Sequence, residues 1–146
     1  MTVVVGVDGS SGSFAAIKLA RQEADYRGAG LAAVMAYISD STLGTPAARP
    51  IATPKARDEQ RKAVEFALSE AVTKALGSDE GVTLRVEAGV PGRVLVHAAQ
   101  DLDADLVVLA TRGEHAPSRL LGAVSQYVLR NAPCPVLVVP EASKEP

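Results

Sequence analysis

The feature that most limits this chain is a regular alternation of strand-length apolar runs with longer helical patterns. The apolar runs are Val3–Val7, Leu31–Ile38, Val82–Ala88, Leu106–Leu109 and Val136–Val139. Each has the length and β-branched content of a strand. Between the first two, Ala16, Leu19, Ala20 and Ala24 fall at helical spacing, with Ser10, Ser11 or Ser13 as the cap and Gly28 or Gly30 as the stop. Thr53-Pro54 is a helix start, with a capping oxygen followed by proline at the first helical position. That helix runs to about Leu76, ends at Gly77 and turns Val64, Leu68, Ala71 and Ala75 inward. Gly89-Val90-Pro91-Gly92 leads into a third helix carrying Leu95, Ala98, Ala99 and Leu102, and Leu120-Leu121-Gly122-Ala123 opens a fourth. Strand and helix in strict alternation predict an α/β fold: an open, doubly wound, mostly parallel sheet with helices on both faces and right-handed crossovers. Leu106–Leu109 reads as a strand buried on both faces. Val82–Ala88 alternates apolar with polar residues, which marks a half-exposed strand at a sheet edge.

At 146 residues the chain fits one domain, 1–146, with no repeat and no linker. The apolar fraction of 47% suffices for a full core. A net charge of −2, no long basic run and only five aromatic side chains argue against a nucleic-acid surface. No apolar stretch approaches membrane-spanning length, and Met1–Val5 lacks the basic start of a signal peptide. The single Cys134 can form no internal disulfide and reads as a small buried hydrophobe or as a reactive thiol. These features predict a cytoplasmic location. His97 lies one position off the buried stripe of its helix and reads as a surface or boundary residue. Ser39–Thr53, rich in small and polar residues, is longer than most connections and is expected to be mobile or part of a lid. The polar tail Glu141–Pro146 is expected to fray.

The chemistry points to Asp105–Pro140. The apolar run ends in Ala110-Thr111-Arg112-Gly113, a loop follows, and Gly122-Ala123 opens a helix. Glycines at a strand exit and a helix start let backbone N–H groups approach an anion, and the helix adds the positive end of its dipole. The same glycines also serve as plain turn residues. This stretch resembles the phosphate-binding segment of the universal stress protein family, which carries Gly-x2-Gly-x9-Gly-Ser/Thr between the fourth strand and the last helix. The overlay puts Ala110 on the first glycine, Gly113 on the second, Gly122 on the third and Ala123 on the Ser/Thr, with Val124 following. Two positions depart from the motif, and the spacer from Gly113 to Gly122 holds eight residues. The resemblance extends through Val124-Ser125 and Tyr127–Val136, and through Val5-Gly6-Val7-Asp8-Gly9-Ser10 near the start.

The resemblance implies a Rossmann-like sheet of order 3-2-1-4-5 and a crevice between the carboxyl ends of strands 1 and 4. It implies ATP or another adenine nucleotide, with or without Mg²⁺, as ligand. Asp8 is then expected at the nucleoside, Tyr37 at the adenine, and Arg112, Gly113, Gly122, Ala123 and Val124 at the phosphates. Asp8 reads equally as a turn residue of an Asp-Gly pair, and Tyr37 as a boundary residue. Ala110 adds a methyl where close approach is needed, Ala123 lacks a donor, and Arg112, Arg119 and His115 are the candidates to compensate. Ser125 falls two positions late, inside the helix. The phosphate motif is therefore expected to be degraded and binding weak or absent. The alternative is a nucleotide-free homodimeric interaction module with an unknown protein partner. No catalytic motif, metal spacing or P-loop lysine occurs, so no enzyme is expected. Val136–Val139, apolar throughout and at the sheet edge in this order, is expected to pair with a second copy.

Overall fold

The computed structural model describes residues 1–39, 53–111 and 121–140. The expectations for Arg112, Gly113, His115, Arg119, the mobile stretch before Thr53 and the tail lie outside the described residues. In chain order the elements are β1 (Thr2–Gly6), α1 (Ser11–Arg27), β2 (Gly30–Tyr37), α2 (Pro54–Leu76), β3 (Val82–Ala88), α3 (Pro91–Asp101), β4 (Leu106–Ala110), α4 (Ala123–Asn131) and β5 (Val136–Val139).

The strands form a single sheet of order β3-β2-β1-β4-β5, and every pairing is parallel. β1 lies at the centre, with Val3 opposite Leu31 on one side and Leu106 on the other. Helices cover both faces. One apolar cluster joins the sheet to α1 and α2, and the other joins it to α3 and α4. The central strands therefore cannot alternate: Val3, Val4 and Val5 are all fully buried, as are Val107 and Val108. Removing such a side chain from water contributes on the order of 1.5–3 kcal/mol each.

The helix ends follow their local chemistry. Ser10 caps α1 by accepting from the Ser13 N–H, and Gly28 closes it in the left-handed conformation (φ 63°). Thr53 Oγ1 accepts from the Ala56 N–H at 3.1 Å and starts α2, which ends at Gly77. The stripes are rotated slightly from the sequence reading. In α1, Ile17 is fully buried and Leu19 only half so, because the buried line runs through Ser13, Ala16, Ala20 and Ala24. In α2 the buried residues are Leu68, Ala71 and Val72, while Val64 and Ala75 pack at the margin.

β3 ends the sheet on one side. Val82, Leu84 and Val86 pack towards α1 and α2, and the opposite face of β3 is polar. There Arg85 donates to Asp101 of α3 at 2.7 Å and reaches Glu87 at 3.5 Å, and Glu87 meets His97 Nδ1 at 3.1 Å. The pairs tie α3 to a strand its apolar side does not cover. The hydrogen bond and charge of Arg85 hold the Asp101 carboxyl below its ordinary value of 3.8, desolvation opposes them, and His97 adds a smaller pull downward. Cys134 is half-buried against the α3–α4 side. Burial, then the nearby Asp105 carboxylate, pushes its thiol pKa up, which keeps it protonated and a poor nucleophile.

A depressed folded-state pKa stabilises the fold above the unfolded value and ceases to do so as pH falls through the folded value. The stability gap between wild type and Asp101→Asn should thus be present above pH 3.8 and shrink below it. Urea unfolding at a series of acid pH values measures this, and a gap that stays constant into the acid range contradicts it.

Candidate functional site

Because all strands run the same way, their carboxyl ends share one edge. Between β1 and β4 the chain's crossovers diverge to opposite faces, and a crevice opens there, as expected at a topological switch point. It contains a cavity of about 150 Å³. The floor comes from Gly6, Val7 and Asp8 after β1, Val34 and Ala36 of β2, and Leu109 and Ala110 of β4. The walls are Ser13 of α1, Pro91 and Leu95 of α3, and Val124 and Ser125 of α4. A pocket that encloses a whole ligand commonly spans about 300–1,000 Å³. This one has room for only a part of such a ligand.

Glycine sets the depth of the crevice at Gly6. A Cβ there would lie 2.8 Å from Leu95 Cδ1, so the bare backbone lets α3 settle onto β1. Gly92 does the same between α3 and α4. A Cβ at Gly92 would sit 2.9 Å from Tyr127 Cδ1 and 3.0 Å from its Cβ and Cγ. The two walls of the crevice are therefore spaced by a glycine–tyrosine contact.

The sequence candidates are distributed unevenly around this space. Asp8 lies on the floor. Its Oδ1 accepts from the Ser10 N–H at 2.9 Å and from Ser10 Oγ at 2.6 Å, so it also shapes the turn into α1. Ala110 and Val124 line the cavity. Gly122 is the N-cap of α4 and Ala123 its first residue. Tyr37 packs against the α1–α2 cluster, and its carbonyl accepts from the Gly89 N–H at 2.9 Å. Strand periodicity turns its neighbour Ala36 to the opposite face, and Ala36 is the residue that lines the crevice. Ala110 has no positive φ, since Asp103 alone among described non-glycine residues does. Alanine there meets no backbone penalty.

Two buried hydroxyls in the walls were not singled out as site residues by sequence. Ser13 is 2% exposed, and its Oγ donates to the Ser10 carbonyl at 2.9 Å. Ser125 is 1% exposed, and its Oγ donates to the carbonyls of Ala110 at 2.8 Å and Thr111 at 3.1 Å. Each hydroxyl has spent its hydrogen on the backbone, so what it retains is acceptor capacity. With the Asp8 carboxylate, the side-chain polar groups on the described walls accept rather than donate. Donors come from backbone instead. Among the described residues no side chain caps the N-terminus of α4, whose first N–H groups and dipole can face an anion at the rim. Among the described residues no group of three or more His, Cys, Asp or Glu is placed to hold a metal ion. Also among them, no helix is long and apolar enough to cross a membrane.

A sequence model described as the Universal stress protein family matches residues 1–140. A universal stress protein of Methanocaldococcus jannaschii is 32% identical, across 98% of this chain and 84% of its own length. One from Thermus aquaticus is 34% identical, across 94% of this chain and 97% of its own. Among solved structures, a universal stress protein in complex with cAMP superposes with a TM-score of 0.65 at 29% identity, covering 95% of each chain.

The Gly92–Tyr127 contact can be tested directly. Gly92→Ala should destabilise the protein by roughly 1–3 kcal/mol, as overpacking does. Combining it with Tyr127→Ala should remove part of the additional cost, because Cδ1 and Cγ are gone and only the Cβ at 3.0 Å remains. Urea unfolding of the two single variants and the double variant measures the coupling, and strict additivity would contradict the contact.

Proposed function

The chain belongs to the universal stress protein family, and on that premise we propose that it is a stress or signalling module that binds an adenine nucleotide weakly in the β1–β4 crevice. The observation that carries this reading is the coincidence of the cavity with the uncapped start of α4 at its rim. The nucleoside end occupies the floor, where a ribose hydroxyl or the adenine amine can donate to Asp8 and Ser13. The phosphates lie towards Gly122, Ala123 and Val124, where the helix offers backbone N–H groups. The relative in complex with cAMP supports an adenine nucleotide as the ligand class. Mg²⁺, where it takes part, arrives with the nucleotide phosphates.

The binding is weak because the phosphate end is underfurnished. Ala123 removes a hydroxyl donor, and a hydrogen bond to a charged group is worth about 1.5–3 kcal/mol. Ala110 adds a methyl at the floor, and the spacer to Gly122 is short by one residue. We assign no catalytic step: occupancy itself is the signal. Restoring Ala123→Ser together with Ala110→Gly should tighten ATP by about one to two decades. Calorimetric titration with ATP, AMP and cAMP, with and without Mg²⁺, tests both the reading and its cause. No heat with any of them, in wild type and in the restored variant alike, would overturn it.

A second reading, compatible with the first, rests on β5. All four residues of Val136–Val139 are only half-buried, and among the described residues the strand pairs with β4 alone. We propose that two copies pair antiparallel through this edge across a two-fold axis, which consumes both open edges. Val138→Pro, which deletes a mid-strand N–H, should shift the wild-type dimer to monomer or unfold it. Sedimentation decides the matter. Wild-type protein that is monomeric at tens of micromolar, on the order of a weak interface, would sink this reading.

A further inference from the structure

The hydroxyl of Ser125 has a task that packing does not account for. It sits on the buried side of α4 with Val128, where alanine would fit as well and would spare the cost of burying a polar group. Its single hydrogen is shared between the carbonyls of Ala110 and Thr111, the last residue of β4 and the one after it. The Gly122 N–H donates to the same Thr111 carbonyl at 2.8 Å. Thr111 is itself fixed to the sheet, since its N–H donates to the Val139 carbonyl at 3.0 Å. The start of α4 is thus bolted to the end of β4 at two points one helical turn apart, and both points lead back to the sheet.

We infer that Ser125 is a positioning residue: its buried hydroxyl holds the first turn of α4 against β4 and so keeps the helix N-terminus aimed into the crevice. This rests on the proposed adenine-nucleotide reading. The helix-end field acts only within about the first turn, so a small drift of that turn weakens its hold on phosphate. The nucleoside end meets Asp8 after β1, Ser13 of α1, β2 and α3, none of which Ser125 fixes. The hydroxyl therefore governs the phosphate contribution and leaves the nucleoside contribution alone. A merely structural role would lower both together.

The experiment compares ATP with adenosine by calorimetric titration of wild type and Ser125→Ala. The expected result is an ATP affinity about tenfold or more weaker, the loss of one charge-assisted contact, with adenosine changed by less than about twofold. Equal weakening of both ligands, or no change in either, overturns the inference. Where wild type binds neither ligand, the nucleotide reading itself fails, and amide hydrogen exchange decides the role of Ser125 separately. The Gly122 amide should then exchange about tenfold faster in the variant, while the Val107 amide, bonded to the Pro135 carbonyl, does not change. Unchanged exchange at Gly122 overturns the inference whatever the ligand does. If Ser125→Ala does not fold, Ser125→Cys, similar in shape and a weaker donor, is scored by the same two measurements.

Discussion

Uniform strand direction is the constraint from which the rest follows. Five parallel strands joined by helices put every strand's carboxyl end and every helix's amino end at one edge of the sheet. The faces are closed by apolar clusters, so that edge is where backbone donors and acceptors can meet a ligand. Ser10 occupies one of the amino ends with its own side chain. Those of α3 and α4 start at Val90 and Gly122, and neither residue supplies a side-chain cap. Proline at the first position of α3 reduces its donors, which leaves α4 as the better furnished end.

The two open edges of the sheet are treated in opposite ways. β3 carries Arg85 and Glu87 on its uncovered face and spends them on Asp101 and His97 of α3. Those pairs are partly exposed and worth little in stability, but they make the edge unattractive to another strand. β5 carries only valine and leucine, and all of its residues are partly open. The same sheet thus discourages pairing at one end and presents an apolar strand at the other.

The fold was legible because its signals are local. Thr53-Pro54, Gly28 and Gly77 act on backbone groups within a turn of themselves, so the sequence marks them directly. The exact phase of the stripes was less so: Ile17 in place of Leu19 is a rotation of under one turn, decided by how α1 rests on the sheet. Strand order came from the family resemblance, since alternation alone does not say which strand is central. The crevice was harder still. Ala36 and Tyr37 are neighbours on opposite faces, and only the layers on each side decide which one faces the cavity. Ser125 depends on carbonyls 14 and 15 residues away, a distance at which sequence spacing carries no signal. Its one visible mark is a polar residue three positions before Val128 on an otherwise apolar stripe.

The central place of β1 also bears on how the protein is made. β1 leaves the ribosome before the other strands and finds β2 about thirty residues later, with Val3 against Leu31. Its other side waits for β4. The Thr2 N–H donates to the Asp105 carboxylate across 103 residues of chain, and the Asp105 N–H returns to the Thr2 carbonyl. Until that segment is synthesised, the central strand of the finished sheet has one ladder of backbone groups without its native partner. The nascent chain thus passes through a stage in which its eventual core is an edge, and the step that ends this exposure is the closure of a loop of about a hundred residues. Such long-range closure is what makes parallel sheets slow to form and open to mispairing on the way.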